Sequence, residues 1–249
     1  MNSTKKTTGM KERNKEDTHM RAIVYHTYGS PDVLKLEEVQ KPVPQDDEVL
    51  VKVHAASVNA GDWAHLLGGK PFLMRLMGYG FLKPKNTILG SDIAGRVEAV
   101  GRNVKQFQSG DEVFGNTAKY GFGGFAEYVS VPENALVLKP TTLSFEEAAA
   151  VPQAAVTALQ GLRDKGQIRP GQKVLIDGAS GGVGTFAVQI AKSFGAEVTA
   201  VCSTKNLNIA RSIGANQVID YTQEDFTKNG QRYDLILAVN GHHSISDYR

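Results

Sequence analysis

The residues whose types and spacing could do chemistry are densest in Lys173–Gly184, KVLIDGASGGVG. An apolar run, Val174-Leu175-Ile176, leads into a turn with four glycines in seven residues. Thr185 to Phe194 then sets Phe186, Val188, Ile190, Ala191 and Phe194 at helical spacing. A strand that ends in small residues and opens a helix lets backbone N–H groups and the positive helix end meet a pyrophosphate. The spacing is not a plain G-x-G-x-x-G: Ala179, Gly181 and Gly184 take the three glycine places, and Gly178 and Gly182 are extra. NAD recognition places an acid about 20 residues past such a turn to bond the ribose 2′-hydroxyl. The stretch found there, Val201-Cys202-Ser203-Thr204-Lys205-Asn206, has no acid. Ser203 and Lys205 would bond and neutralise a 2′-phosphate, so NADPH is the expected cofactor. The plainer alternative for Lys205 is a solvated residue at a helix start.

Other candidate chemistry is thin. The single cysteine, Cys202, rules out an internal disulfide and a Cys-rich zinc site, and its place at the end of an apolar run predicts a buried strand residue. His54 falls in a strand, His65 in a loop, and His242-His243 are adjacent, a spacing that rarely chelates one ion. No metal site is expected.

The elements that must position these residues change character along the chain. Residues 1–19 are polar and charged and are expected to be a disordered tail. From 20 to 143 the pattern is mostly β, with strands expected at Arg21–Tyr25, Leu34–Val39, Glu48–Ala55, Ile93–Val100, Glu112–Gly115, Phe125–Val129 and Ala135–Lys139, an antiparallel, barrel-like domain. Within it Gly68–Lys85 is unusually apolar for a connection and reads as a substrate lid, a basic membrane-touching patch, or a helix packed on the barrel. From 144 to 249 helices and strands alternate. Ser144 and Glu147 form an expected capping box, Pro152 interrupts the helix it opens, and strands are expected at the apolar run Val174–Ile176 and at Glu197–Cys202, Gln217–Tyr221 and Leu235–Asn240. That alternation means a doubly wound parallel sheet, with four of the six strands of a full dinucleotide fold. The fold class is therefore α/β. The fourth strand would be an uncovered apolar edge, so the chain is expected to be either truncated or completed by a partner.

Composition sets the outer bounds. The 249 residues, 41% hydrophobic and with a formal net charge of +2, can bury two cores but carry no basic stripe for nucleic acid. No stretch approaches the roughly 18 apolar residues of a membrane span. No secretory h-region is present, and a reduced, cytoplasmic compartment is expected.

Five segments in order resemble the medium-chain dehydrogenase/reductase superfamily, in its zinc-independent, quinone-oxidoreductase-like branch. They are Ser57-Val58-Asn59-Ala60-Gly61-Asp62, Gly90-Ser91-Asp92-Ile93-Ala94-Gly95, Gly124-Phe125-Ala126-Glu127-Tyr128, Ala179 to Gly184, and Val218-Ile219-Asp220-Tyr221. The resemblance implies a GroES-like catalytic domain followed by a Rossmann domain. It implies that Ser180, Gly182 and Val183 contact the pyrophosphate, that Ser203, Lys205 and Tyr221 hold the 2′-phosphate end, and that Thr157 and Val239-Asn240 lie along the nicotinamide half. An Asp stands at the Ala238 position in many relatives. Zinc-bearing relatives have a cysteine ligand where Asn59 stands and a histidine ligand where Ser91 stands, and neither replacement suits a soft metal.

The implied activity is metal-free hydride transfer from NADPH to a small-molecule carbonyl or quinone, such as an α,β-unsaturated carbonyl. Asn59 is the candidate donor or positioning residue, with Asp62 supporting it, Trp63 as packing and solvent as proton source. Two other readings stay open: a zinc-free alcohol dehydrogenase-like reductase, and a non-catalytic NADPH-binding scaffold. Sheets of this kind often pair across an edge, which leaves a homodimer open.

Overall fold

The computed structural model describes residues 18–67, 83–239, 243–244 and 246–248. Most of the expected tail and most of the Gly68–Lys85 connection lie outside the described residues. The tail's end does not: His19 already belongs to a strand, β1 (His19–Val24), paired antiparallel with β2 (Lys35–Gln40), His19 facing Gln40.

The chain divides after Pro152 into two compact units. In the first, β3 (Glu48–Ser57), β4 (Asp92–Val100), β5 (Glu112–Asn116), β6 (Tyr128–Pro132) and β7 (Leu136–Leu138) form an antiparallel sheet ordered β6-β3-β4-β5-β7. Register shifts within the β3–β4 pair, at Leu50/Val51 and Val53/Ala55, mark bulges of the kind that bend a sheet. The inward residues Val49, Val51, Ile93, Val113 and Val131 are fully buried. The strand expected at Phe125–Val129 starts later, at Tyr128. Phe125 to Glu127 are drawn instead to β1, where Ile23 N–H donates to the Phe125 carbonyl and Glu127 N–H to the Arg21 carbonyl.

Ser144 caps α2 (Phe145–Ala149) as expected: its Oγ accepts from Glu147 N–H at 3.1 Å, and Glu147 Oε2 accepts from Ser144 N–H at 2.8 Å. Ala148 and Ala149 of α2 pack against Ala94 of β4. This burial attaches α2 to the first unit, so the boundary expected at 143/144 falls after Pro152 instead. Pro152 opens α3 (Pro152–Leu159), where a missing N–H leaves no bond unmade. The chain continues helically, in a π turn, over Gln160–Lys165.

The second unit is a parallel sheet of β8 (Lys173–Asp177), β9 (Glu197–Cys202), β10 (Gln217–Asp220) and β11 (Leu235–Ala238), ordered β10-β9-β8-β11. That is the 3-2-1-4 half of a dinucleotide fold, with β8 and β11 side by side at the switch point. Two helices, α4 (Gly182–Ser193) and α5 (Leu207–Ser212), cross between the strands. Ala187, Val188 and Ala191 of α4 are fully buried against Val174, Ile176 and Val198, at about 1.5–3 kcal/mol for each large aliphatic side chain taken from water. Leu175, Val201, Ile219 and Phe226 form a smaller cluster that Tyr233, Ile236 and Tyr248 help to cover. Among the described residues β11 pairs only with β8. No helix among them is long and apolar enough to cross a membrane.

Candidate functional site

In the first unit, register builds the site. Opposite residues of an antiparallel pair share a face, and Ser57 lies opposite Asp92, which lies opposite Asn116. The carboxylate of Asp92, with no exposure to solvent, sits among their side chains. Its Oδ1 accepts from Asn116 Nδ2 at 2.6 Å; its Oδ2 accepts from Asn59 Nδ2 at 3.2 Å and, over a longer 3.4 Å, from Ser57 Oγ. Asn59 Nδ2 also lies 3.2 Å from both Ser57 Oγ and Ser91 Oγ.

Asn59 is the N-cap of α1 (Ala60–Leu66). Its N–H donates to Asp62 Oδ2 at 2.8 Å, while Asp62 Oδ1 accepts from Gly90 N–H at 3.0 Å. Asp62 therefore joins the start of α1 to the turn that carries Ser91. The carboxyl is almost wholly buried, and that burial raises its pKa against the pull of these bonds. Behind it, the fully buried Thr117 hydroxyl lies 3.0 Å from the Gly90 carbonyl and 3.1 Å from that of Ser91.

The structure thus brings together the two predicted residues Asn59 and Asp62. The amide nitrogen of Asn59 faces Ser57, Ser91 and Asp92. Trp63 is half exposed. His54 stacks on Phe145 at 4.4 Å between ring centroids, and His65 Nδ1 lies 2.7 Å from the Gly61 carbonyl. The ring of one carboxylate, two hydroxyls and two amides is a poor donor set for a soft divalent metal. Among the described residues no group of three or more His, Cys, Asp or Glu side chains could hold an ion.

In the second unit the glycine turn separates into two kinds of residue. Ala179 is fully buried and its N–H donates to the Val201 carbonyl at 3.0 Å. Gly184 is buried too, and a Cβ there would stand 2.1 Å from the Gly178 carbonyl oxygen. These two shape the turn. Gly181 and Gly182 are exposed, and a Cβ on either would meet nothing closer than 3.6 Å within the protein. They form the N-terminal end of α4, a helix of 12 residues whose first N–H groups have no intrahelical partner. Such an end, bare of side chains, fits a pyrophosphate.

Asn206 connects this turn to the tip of β9. Its Nδ2 donates to Ser180 Oγ at 3.0 Å and to Ser203 Oγ at 3.2 Å. Lys205 is exposed on the short 3-10 turn Thr204–Asn206, and Tyr221, largely exposed, follows β10 with its N–H on the Cys202 carbonyl. Val183 is half-buried beside Gly182, and Val239 N–H donates to the Asp177 carbonyl at 3.0 Å, next to the turn. Thr157 is exposed on α3 with its hydroxyl on the Gln153 carbonyl. Asn240 lies outside the described residues.

A cleft of about 300 Å³, lined by Asp177, Gly178, Tyr221, Glu224, Asp225, Phe226 and His243, opens at the carboxyl ends of the strands. Tyr248 donates to Asp177 Oδ2 at 2.8 Å, and burial with the nearby carboxylate pushes the phenol up to about 12. Sequence reasoning gives neither Asn206 nor Asp92 a role in the site. Asn206 could have been found as the amide nearest Ser203 and Lys205; Asp92 becomes visible only when three strands align.

Known proteins carry the same arrangement of domains. The family profile "Alcohol dehydrogenase GroES-like domain" matches residues 45–141, and the profile "Zinc-binding dehydrogenase" matches residues 182–248. A chloroplast envelope quinone oxidoreductase homolog of Arabidopsis thaliana is 37% identical over 235 residues, 89% of this chain and 69% of the relative. An NADPH-dependent alkenal/one oxidoreductase, chloroplastic, of the same plant is 38% identical over 231 residues, 89% of this chain and 58% of the relative. The structure of the quinone oxidoreductase from Coxiella burnetii superposes with a TM-score of 0.76 at 35% identity, covering 84% of this chain and 64% of that one. The chain spans 58–69% of the length of these three proteins.

Proposed function

We propose, because the chain belongs to the quinone-oxidoreductase-like branch of the medium-chain dehydrogenase/reductase superfamily, that it serves an NADPH-dependent reduction of a quinone or α,β-unsaturated carbonyl without a metal. The observation that carries the reading is the Asn59–Asp92 ring. By the resemblance, two of its members, Asn59 and Ser91, stand where zinc-bearing relatives keep a cysteine and a histidine, and they meet at 3.2 Å.

When bound, the reduced nicotinamide would supply a hydride. The chain's own residues do the rest. Gly181, Gly182 and the first turn of α4 would receive the pyrophosphate, with Ser180 and Val183 beside it. Ser203 and Lys205 would meet a 2′-phosphate, with Tyr221 close by, and Asn206 would keep Ser203 in place relative to Ser180. Thr157 and the Val239-Asn240 segment would flank the nicotinamide half. Asn59, fixed by Asp62 and Asp92, holds the rim of the substrate site. The Ser57 hydroxyl, partly exposed and only loosely bonded to Asp92, is the donor this ring offers to an oxygen on which charge develops. Solvent would deliver the proton. A cytoplasmic location and a homodimer belong to the same reading; relatives with chloroplast names show that location varies within the family.

The test is a fluorescence titration with NADPH and with NADH, followed by addition of a quinone and then an enone. Tight NADPH binding with turnover supports the whole reading. Binding without turnover favours a scaffold, and tighter NADH binding overturns the Ser203/Lys205 argument.

A further inference from the structure

The acid that a ribose 2′-hydroxyl would need is missing from β9, but one stands a strand away. Asp220 ends β10 directly beside Cys202, against the Ser203–Asn206 turn. Its carboxylate is held from two sides. Thr204 Oγ1 donates to Oδ2 at 2.5 Å, and Thr222 donates to Oδ1 through its hydroxyl at 2.7 Å and its N–H at 3.0 Å. These bonds keep the carboxyl below the usual carboxylate range, so it is charged at neutral pH.

A charged carboxylate at this corner has two opposite uses. Free, it accepts from a ribose hydroxyl and can turn its charge toward a 2′-phosphate; with both oxygens held by threonines, it has little left for the hydroxyl and its charge is directed at the threonines. Resting on the NADPH reading above, we propose that Thr204 and Thr222 are specificity-determining residues: they turn Asp220 away from the cofactor ribose and leave Lys205 as the charge a 2′-phosphate meets. Of the other nearby acids, Asp225 is paired with Lys228 at 2.7 Å.

The experiment measures dissociation constants for NADPH and NADH, by calorimetry, on wild type, Thr204→Val, Thr204→Ser, Asp220→Asn and the Thr204→Val/Asp220→Asn double variant. Turning an existing unit charge toward a phosphate at the protein surface is worth about threefold to tenfold in affinity. Thr204→Val is therefore expected to weaken NADPH about threefold to tenfold without weakening NADH, and Thr204→Ser to keep wild-type selectivity. Asp220→Asn and the double variant are each expected to bind NADPH at least as tightly as wild type, because the carboxylate charge is gone. The loss in Thr204→Val is expected to shrink in high salt. Equal weakening of both cofactors by Thr204→Val, or a double variant as weak as the single, would overturn the proposal while leaving the NADPH reading intact. A wild-type chain that prefers NADH would overturn both.

Discussion

Asn59 Nδ2 lies 3.2 Å from Asp92 Oδ2, so an amide donor supplies the polarity that satisfies a fully buried carboxylate. The pairing explains why Asn59 matters beyond any contact with substrate. It is the junction between the end of β3, the cap of α1 and the start of β4. Asn59→Ala should cost about 1–3 kcal/mol, the usual penalty for leaving a buried acceptor short of a partner. Asn59→Asp should cost more at pH 7.5, because it sets a second carboxylate against the first. One of that new pair must have a raised folded-state pKa, so its stability should recover as pH falls. Urea midpoints at pH 7.5 and pH 5 would check both; an aspartate variant equal to alanine at both values would contradict the ring.

Gly184 and Gly181 should part company. A Cβ at Gly184 would lie 2.1 Å from a backbone oxygen, whereas one at Gly181 has open space and an ordinary φ of −77°. Gly184→Ala should destabilise the second unit by about 3 kcal/mol or more, in the range of severe core clashes. Gly181→Ala should unfold like wild type yet bind NADPH at least about tenfold more weakly, if the backbone must approach the pyrophosphate there. Denaturant titration and cofactor titration on the same two samples separate the effects.

Asp225 gives a pH dependence with a definite sign. Bonds from Lys228 and Thr227 hold its pKa near about 2, below the ordinary 3.8. The folded-state value is depressed, so its contribution is present in full above 3.8 and is lost as pH falls toward 2. Asp225→Asn should lower the unfolding midpoint at pH 6 and leave it unchanged near pH 2. A difference that stays constant with pH would remove the ion pair from the account.

Cys202 should report on opening of the sheet. It is almost wholly buried at the end of β9, and burial raises its thiol pKa. A thiol reagent should modify the native chain far more slowly than the urea-unfolded chain, at a rate set by local opening. Fast native labelling would mean that β9 is not held as described.

Much was readable along the chain because the signals are local. The Ser144–Glu147 capping box depends on a spacing of three residues, and the glycine turn on a strand and helix within one stretch. The alternation of β8 to β11 with helices implied a parallel sheet, and the strand order follows it. The resemblance also pointed to Asn59 and Ser91 as replacements at two ligand positions of zinc-bearing relatives. Residue identity is enough to judge donor chemistry.

What only the tertiary structure decided is how groups far apart in sequence meet. Ser57, Asp92 and Asn116 converge through strand register, and Asp62 reaches the Gly90 amide across 28 residues. Asp220, two strands' worth of chain from the glycine turn, comes to Thr204 only because β10 lies beside β9. Helix Phe145–Ala149 reads as the opening of the second domain, yet its alanines bury against β4 of the first. In each case sequence specifies which side chains can bond, while packing chooses the partner, because hydrogen bonds reach only about 3 Å and a buried polar group must take whatever the fold brings within that range.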